Sequence, residues 1–285
     1  MGVRSPRARS TRLFLSLLVG VFASTLLALV QAGCSGAPGA PGTPSTGTAE
    51  IGDQGAGSGV TLTVSAASDL ALALDELGPL FTEQTGVAVV VNLGSSGQLA
   101  QQIEQGAPVD VFFSANRQYV DELVDQGIAE PGDTALYGVG RITLWTRADS
   151  TVRVEALSDL TGPGVKRIAI ANPDHAPYGL AAREALQSAG LWEELQPKLV
   201  MAENVLQALQ FADSGNADVA FVARSLSVQG DGRWTLVPAE LHHPIEQTLA
   251  VISRSPNVEW GRRFAEFVTG PSGRASLDSY GFALP

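Results

Sequence analysis

The chain has 285 residues, with 18 Lys+Arg against 29 Asp+Glu, a formal net charge of −11 and a single cysteine. Nucleic-acid binders usually carry a basic field, so this balance argues against that class. One cysteine excludes an intramolecular disulfide.

The first segment reads as an export signal. Arg4, Arg7, Arg9 and Arg12 precede an apolar run over 13–30, whose polar members are Ser16, Ser24 and Thr25. A basic start, an apolar core and small residues before a cleavage point describe a secretory signal. A transmembrane anchor is the alternative, since the run lies near the lower length for spanning. Either reading leaves the body on the extracytoplasmic side. The string Gln31-Ala32-Gly33-Cys34 resembles a bacterial lipobox, although Gln31 stands where an aliphatic residue is usual. The resemblance implies a lipid on Cys34 and removal of the signal peptide 1–33. Residues 34–60 are rich in Gly, Pro, Ser and Thr, with little to bury, and are expected to form a disordered tether. Without 1–33 the chain has 14 basic against 29 acidic residues, a net of −15. An anion binder so charged must rely on local dipoles and neutral donors.

From 61 onward, apolar runs and helical periodicities alternate, and no repeat of solenoid period is visible. Strands are expected over 61–66, 87–93, 109–113, 142–146, 167–171, 198–201, 218–223, 235–237 and 247–252. Helices are expected over 70–84, 95–105, 116–125, 178–188, 204–213, 258–268 and 273–279. The run 87–93 is β-branched and continuous, as in a buried parallel strand. This rhythm argues an α/β fold with mainly parallel sheets. Residues 138–145 carry the chain out of the first α/β unit, and the last two helices follow the strand 247–252. If those helices return to the first unit, two crossover strands join two lobes: 61–141 with 242–285, and 142–241. A single Rossmann-like sheet is the alternative.

Three strand-to-helix junctions are rich in small donors: Ala66-Ala67-Ser68-Asp69-Leu70, Gly94-Ser95-Ser96-Gly97, and Asn172-Pro173-Asp174-His175-Ala176-Pro177-Tyr178-Gly179. In parallel sheets such junctions lie at the carboxyl ends of strands, where ligands bind. First-turn N–H groups and the helix dipole favour an anion there. Serine hydroxyls add neutral donors, and Gly94 and Gly97 permit close backbone approach. Each junction taken alone also fits an ordinary N-cap. No phosphate-binding or dinucleotide glycine motif is present, and the spacing fails the nucleophile elbow of hydrolases.

GSSGQLAQQIEQGAPVDVFFSA (94–115), AASDL (66–70), NPDHAPYGLAAREAL (172–186), ENVLQALQFADSGNADVAFVA (203–223) and YGF (280–282) together resemble ModA-type molybdate-binding proteins. The resemblance spans nearly all of 61–285, in order. It implies a two-lobed type II periplasmic-binding fold with a two-strand hinge. It further implies capture of molybdate or tungstate between the lobes and delivery to an ABC permease, without catalysis or a cofactor. The implied contacts are Ser68 (hydroxyl), Asp69 (N–H), Ser96 (hydroxyl and N–H), Tyr178 (N–H) and Val205 (N–H). Ala223 stands where the family often has a tyrosine whose hydroxyl reaches the anion, leaving Tyr178 or a water to compensate.

Molybdate, tungstate and sulfate are fully deprotonated at neutral pH and need donors only, whereas hydrogen phosphate gains from an acceptor. The Asp69 side chain is therefore expected to turn away and cap its helix. Sulfate or phosphate remains an alternative ligand, and an extracytoplasmic hydrolase built on Ser96 and His175 is the alternative of another class. His175 is expected to hold its own loop. His242-His243 reads as a solvated loop pair rather than a metal site, and Glu193-Glu194 as a solvated face. Trp145, Trp192, Trp234 and Trp260 read as packing. A monomer is expected, held at the extracytoplasmic membrane face by its lipid alone.

Overall fold

Alternating apolar runs become two five-stranded sheets in the computed structural model, which describes residues 59–285. The signal peptide 1–33, Cys34 and almost all of the tether lie outside the described residues. In the first sheet, β1 (Thr61–Ala67) pairs in parallel with β2 (Ala88–Gly94) and β3 (Val111–Ser114). The helix α1 (Ala71–Thr85) links β1 to β2, and ends at Gly86, whose φ of 73° lets its N–H reach Thr82 O at 2.8 Å. Next, α2 (Ser96–Glu104) links β2 to β3, and α3 (Arg117–Asp125) leads to β4 (Ala129–Gly140).

The second sheet begins at once with β5 (Ile142–Thr146) and continues through β6 (Ile168–Ala171), α4 (Pro177–Ser188), the short α5 (Trp192–Leu195) and β7 (Leu199–Ala202). It closes with α6 (Val205–Asp213), β8 (Val219–Ala223), the short α7 (Arg224–Ser227) and β9 (Arg233–Leu236). The chain then returns to the first sheet as β10 (Ile245–Ile252), followed by α8 (Val258–Thr269) and α9 (Pro271–Ser279). The sheet orders are β2-β1-β3-β10-β4 and β7-β6-β8-β5-β9. In each, one strand is reversed, β10 in the first and β5 in the second, and the other strands run one way. Both sheets are therefore mainly parallel in direction, though each has antiparallel ladders. The chain crosses between lobes twice, once through Arg141 and once between β9 and β10, where Ile245 pairs with Gly140.

Residues of β3 show how the first lobe is filled. Consecutive strand residues point to opposite faces. Phe113 joins Leu62, Val64, Phe264 and Leu277 on one face, so α8 and α9 do return to this sheet. Phe112 joins Leu99, Ile103 and Leu123 on the other. The Phe264 ring meets Phe81 edge-on at 5.0 Å and Phe113 at 6.0 Å. The second lobe has its own core around Ile168, Ile170, Leu186 and Phe221.

Several elements differ from expectation. The run 87–93 is an edge strand, not a buried one, and Val90 is 55% exposed. Its β-branched residues reflect strand propensity rather than two covered faces. The strand β4 begins well before residue 138; Pro131 and Gly132 mask it in the sequence, and an edge position tolerates them. Pro177 rather than Tyr178 opens α4, at a position where its missing N–H costs nothing.

The Asp110 side chain within GAPVDVF ties this lobe together. Its carboxylate accepts the Thr63 N–H at 2.6 Å, the Ser255 hydroxyl at 2.5 Å and the Asn257 side-chain amide at 3.3 Å. Asp110→Ala strands the Thr63 N–H, and an unsatisfied buried donor costs about 1–3 kcal/mol. Thermal unfolding of this variant is expected at a lower midpoint, by roughly 2–4 °C per kcal/mol for a domain of this size.

Candidate functional site

Four strand-to-helix junctions converge where the two lobes face each other. The first follows β1, where Ser68–Leu70 form a 3-10 turn before α1. The others are the first turns of α2, α4 and α6. First-turn N–H groups have no intrahelical acceptor, so the Ser96, Tyr178 and Val205 amides are available at the cavity. Ser68, Asp69, Ser96, Tyr178 and Val205 all line this one small space, a cavity of about 10 Å³. That is far below the roughly 300–1,000 Å³ of sites for drug-sized ligands, which excludes a large ligand from the closed form.

The two serine hydroxyls are oriented by backbone donors. Ser96 Oγ accepts the Ala115 N–H at 2.9 Å, and Ser68 Oγ accepts the Leu206 N–H at 3.3 Å. A hydroxyl has one proton and two lone pairs, so each Oγ accepts from the protein and still has its proton to give. Asn204 caps α6, its Oδ1 accepting the Gln207 N–H at 3.0 Å. Of the first-turn donors of α6, Leu206 and Gln207 are thus engaged, while Val205 faces the cavity. Among the described residues no Lys, Arg or His lines the cavity.

Hydrogen bonds across the cleft hold the lobes together around this space. His175 Nδ1 and Ser95 Oγ are 2.7 Å apart, and His175 O accepts the Gly97 N–H at 2.9 Å. Gln98 Nε2 donates to Glu203 Oε2 at 2.8 Å, and the Ser225 hydroxyl to Asp69 O at 2.7 Å. His175 therefore binds the opposite lobe rather than holding only its own loop. It pairs with Ser95 and not Ser96, so the Ser96–His175 pair of the hydrolase reading does not form. Among the described residues no carboxylate bonds to His175.

Asp69 also departs from expectation. Its side chain caps no helix. Instead Oδ2 accepts the Tyr178 hydroxyl at 2.9 Å and Gln247 Nε2 at 2.8 Å, while Oδ1 is buried without a partner. Gln247 Oε1 accepts the Tyr137 hydroxyl at 2.7 Å. Burial pushes the Asp69 carboxyl up to about 7, against the opposing pull of Tyr178, the Asp69 backbone N–H and Gln247. Burial and the nearby Asp69 likewise raise both tyrosines well above their usual range. Gln247 and Tyr137 escape single-sequence reading; their signal is a polar group in otherwise apolar strands, which lone side chains give only weakly.

Ala223 is fully buried at the end of β8, pairs with Ile142 and does not line the cavity. The Tyr178 hydroxyl is committed to Asp69, so it does not make good a donor missing at Ala223. His243 meets Glu184 at 3.0 Å on the surface, and His242 Nδ1 meets His243 O at 2.7 Å. Among the described residues no cluster of three or more His, Cys, Asp or Glu could hold a metal. Larger hollows open on the second lobe, one of about 590 Å³ lined by exposed Asp149, Asp213 and Asp231 and by Arg147, which pairs with Asp149.

Two mixed α/β lobes, joined by two crossings and closed on a small donor-lined cavity, are the architecture of a solute-binding protein. The chain belongs to the bacterial extracellular solute-binding protein family, whose profile matches residues 62–283. It is 38% identical over 209 residues to the molybdate-binding protein ModA of Rhodobacter capsulatus, covering 73% of this chain and 82% of the relative. It is 30% identical to YvgL of Bacillus subtilis, a putative ABC transporter substrate-binding lipoprotein, over 78% of this chain and 86% of that one. The solved periplasmic molybdate-binding protein of Azotobacter vinelandii superposes with a TM-score of 0.75 at 35% identity, covering 79% of this chain and 99% of the other.

Gly97 sits where the lobes meet. A Cβ there would lie 2.9 Å from His175 O and 2.7 Å from the Tyr119 hydroxyl. Gly97→Ala is expected to favour α2 itself by about 0.5–1 kcal/mol yet hold the lobes apart. Small-angle scattering should then give a larger radius of gyration than for the parent protein.

Proposed function

We propose that this chain captures molybdate or tungstate between its lobes and presents the closed, loaded form to an ABC permease. The observation that carries this reading is the cavity itself: serine hydroxyls and first-turn amides from both lobes face one small space with no cation. Such a site suits an anion with no proton to donate. The nearby Asp69 carboxylate gives its Oδ2 to Tyr178 and Gln247. The relatives named for molybdate supply the choice among fully deprotonated oxyanions.

Ser68, Asp69 (through its N–H), Ser96, Tyr178 and Val205 hold the anion in this reading. The lobes are 61–141 with 242–285, and 142–241. A ligand can shift a two-state equilibrium only by binding one state better. Donors drawn from both lobes meet that condition, because the full set exists only when the lobes are closed. The protein works as a monomer, tethered through lipid on Cys34 at the extracytoplasmic face; the lipoprotein relative supports the anchor.

Calorimetry with molybdate, tungstate, sulfate and phosphate tests the ligand. Tight molybdate and tungstate binding is expected, and tight phosphate binding without molybdate binding would sink the reading. A hydrogen bond to a charged group is worth ~1.5–3 kcal/mol, so Ser96→Ala should weaken molybdate binding roughly ten- to 150-fold. An unchanged affinity would mean that Ser96 serves only to hold the Ala115 N–H. Mass spectrometry of the protein isolated from its own membrane should find an acylated Cys34 as the first residue; a free thiol would exclude the anchor.

A further inference from the structure

The cluster Asp69–Tyr178–Gln247–Tyr137 is larger than anion binding by backbone donors requires. Asp69 is 1% exposed and Gln247 fully buried. The three partners come from different elements: Tyr178 from α4 of the second lobe, Gln247 from β10 and Tyr137 from β4. Gln247 thus links the return strand of the hinge to a side chain from each lobe, with Nε2 also 3.2 Å from the Tyr178 hydroxyl. A Cβ at Gly140, beside the chain crossing, would lie 2.8 Å from Gln247 Nε2, so the backbone leaves room for this cluster.

The charge on Asp69 is poorly compensated. Both donors bond to Oδ2, and Oδ1 has neither a protein partner nor solvent. From α7, Ser225 bonds to the Asp69 carbonyl and not to the carboxylate. The adjacent Arg224 turns its Nη1 to Gly281 O at 3.4 Å. Among the described residues no cationic side chain hydrogen-bonds or ion-pairs with Asp69. The titratable groups nearest it, Tyr178 and Tyr137, are neutral donors. The adjoining cavity, under the proposed function, receives a dianion.

We propose that Asp69 takes a proton from solvent onto Oδ1 as the lobes close, so that each molybdate captured is accompanied by one proton. In this role Gln247 and Tyr178 are positioning residues: they fix Oδ2 as the acceptor and leave Oδ1 to take the proton. The inference rests on oxyanion binding in the cleft. Opening removes Tyr178 and admits water, which returns the carboxyl toward its ordinary 3.8 from about 7 in the closed form. The sign follows from linkage. Between those two values the closed state holds a proton that the open state lacks, so binding weakens as pH rises, by up to about tenfold per pH unit, and levels off above the upper value. A dianion beside the carboxyl disfavours its ionisation further and moves the upper edge of that window upward.

Calorimetry of molybdate binding at pH 6, in two buffers of different ionisation heat, counts the protons. Close to one proton taken up per anion is expected for the parent protein, and none for Asp69→Asn. Binding without proton uptake, or uptake that persists in Asp69→Asn, overturns the inference while leaving oxyanion binding intact. Absence of molybdate binding at every pH would instead overturn the function on which it rests, and the inference with it. Tyr178→Phe provides a second variant should Asp69→Asn fail to fold or bind. Loss of a hydrogen bond to the carboxylate should move the pH at which affinity levels off upward, and an unmoved profile counts against the proposal.

Discussion

Holding a charged group away from water without an opposite charge demands that neutral donors be aimed at it from several sides. This constraint governs the site twice. Where an anion is to sit, serine hydroxyls and first-turn amides converge from both lobes and no cation lines the space. Beside it, Asp69 is buried with both its side-chain donors on one oxygen, and burial holds its pKa up. Helix dipoles serve the first case because parallel strands followed by helices bring positive helix ends to one edge of each sheet.

The lobes are coupled through the same residues that form the cavity. Ser68 accepts an amide from α6, Asp69 a hydroxyl from α4, and Ser95 meets His175. Closure and site assembly are therefore one event. A mutation at the seam is expected to act on ligand affinity through the open–closed equilibrium, even when it touches no ligand donor. The outer hollows of the second lobe lie apart from this seam and carry exposed carboxylates.

Much of the fold was legible because its signals are local. Most of the strand and helix order from residue 61 onward follows from apolar runs and periodicity, whereas the packing of Phe264 and Leu277 on the first sheet decides between the two courses open to the closing helices. The strand β4 has no counterpart among the expected strands, since Pro131 and Gly132 interrupt its pattern and its edge position makes them acceptable. The run over 87–93 gives no sign of its edge position, because β-branched residues look alike on an edge and in a sheet centre. At the site, donor-rich junctions at 66–70, 94–97 and 172–179 were visible as strand-to-helix turns. The resemblance supplied Val205, for which composition alone offers no signal.

The sequence by itself determined the α/β class, the donor types at each junction and the acidic balance that rules out a basic anion trap. It did so because periodicity and turn chemistry act over a few residues. Tertiary structure alone decided which donors meet and where each side chain turns. Asp69 and Gln247 are 178 residues apart, yet share a hydrogen bond; His175 and Ser95 are 80 apart and meet across the cleft. No local pattern encodes such pairings. They arise when two separately folded sheets, joined by two crossings, bring their helix ends together and exclude the water that would otherwise satisfy those groups.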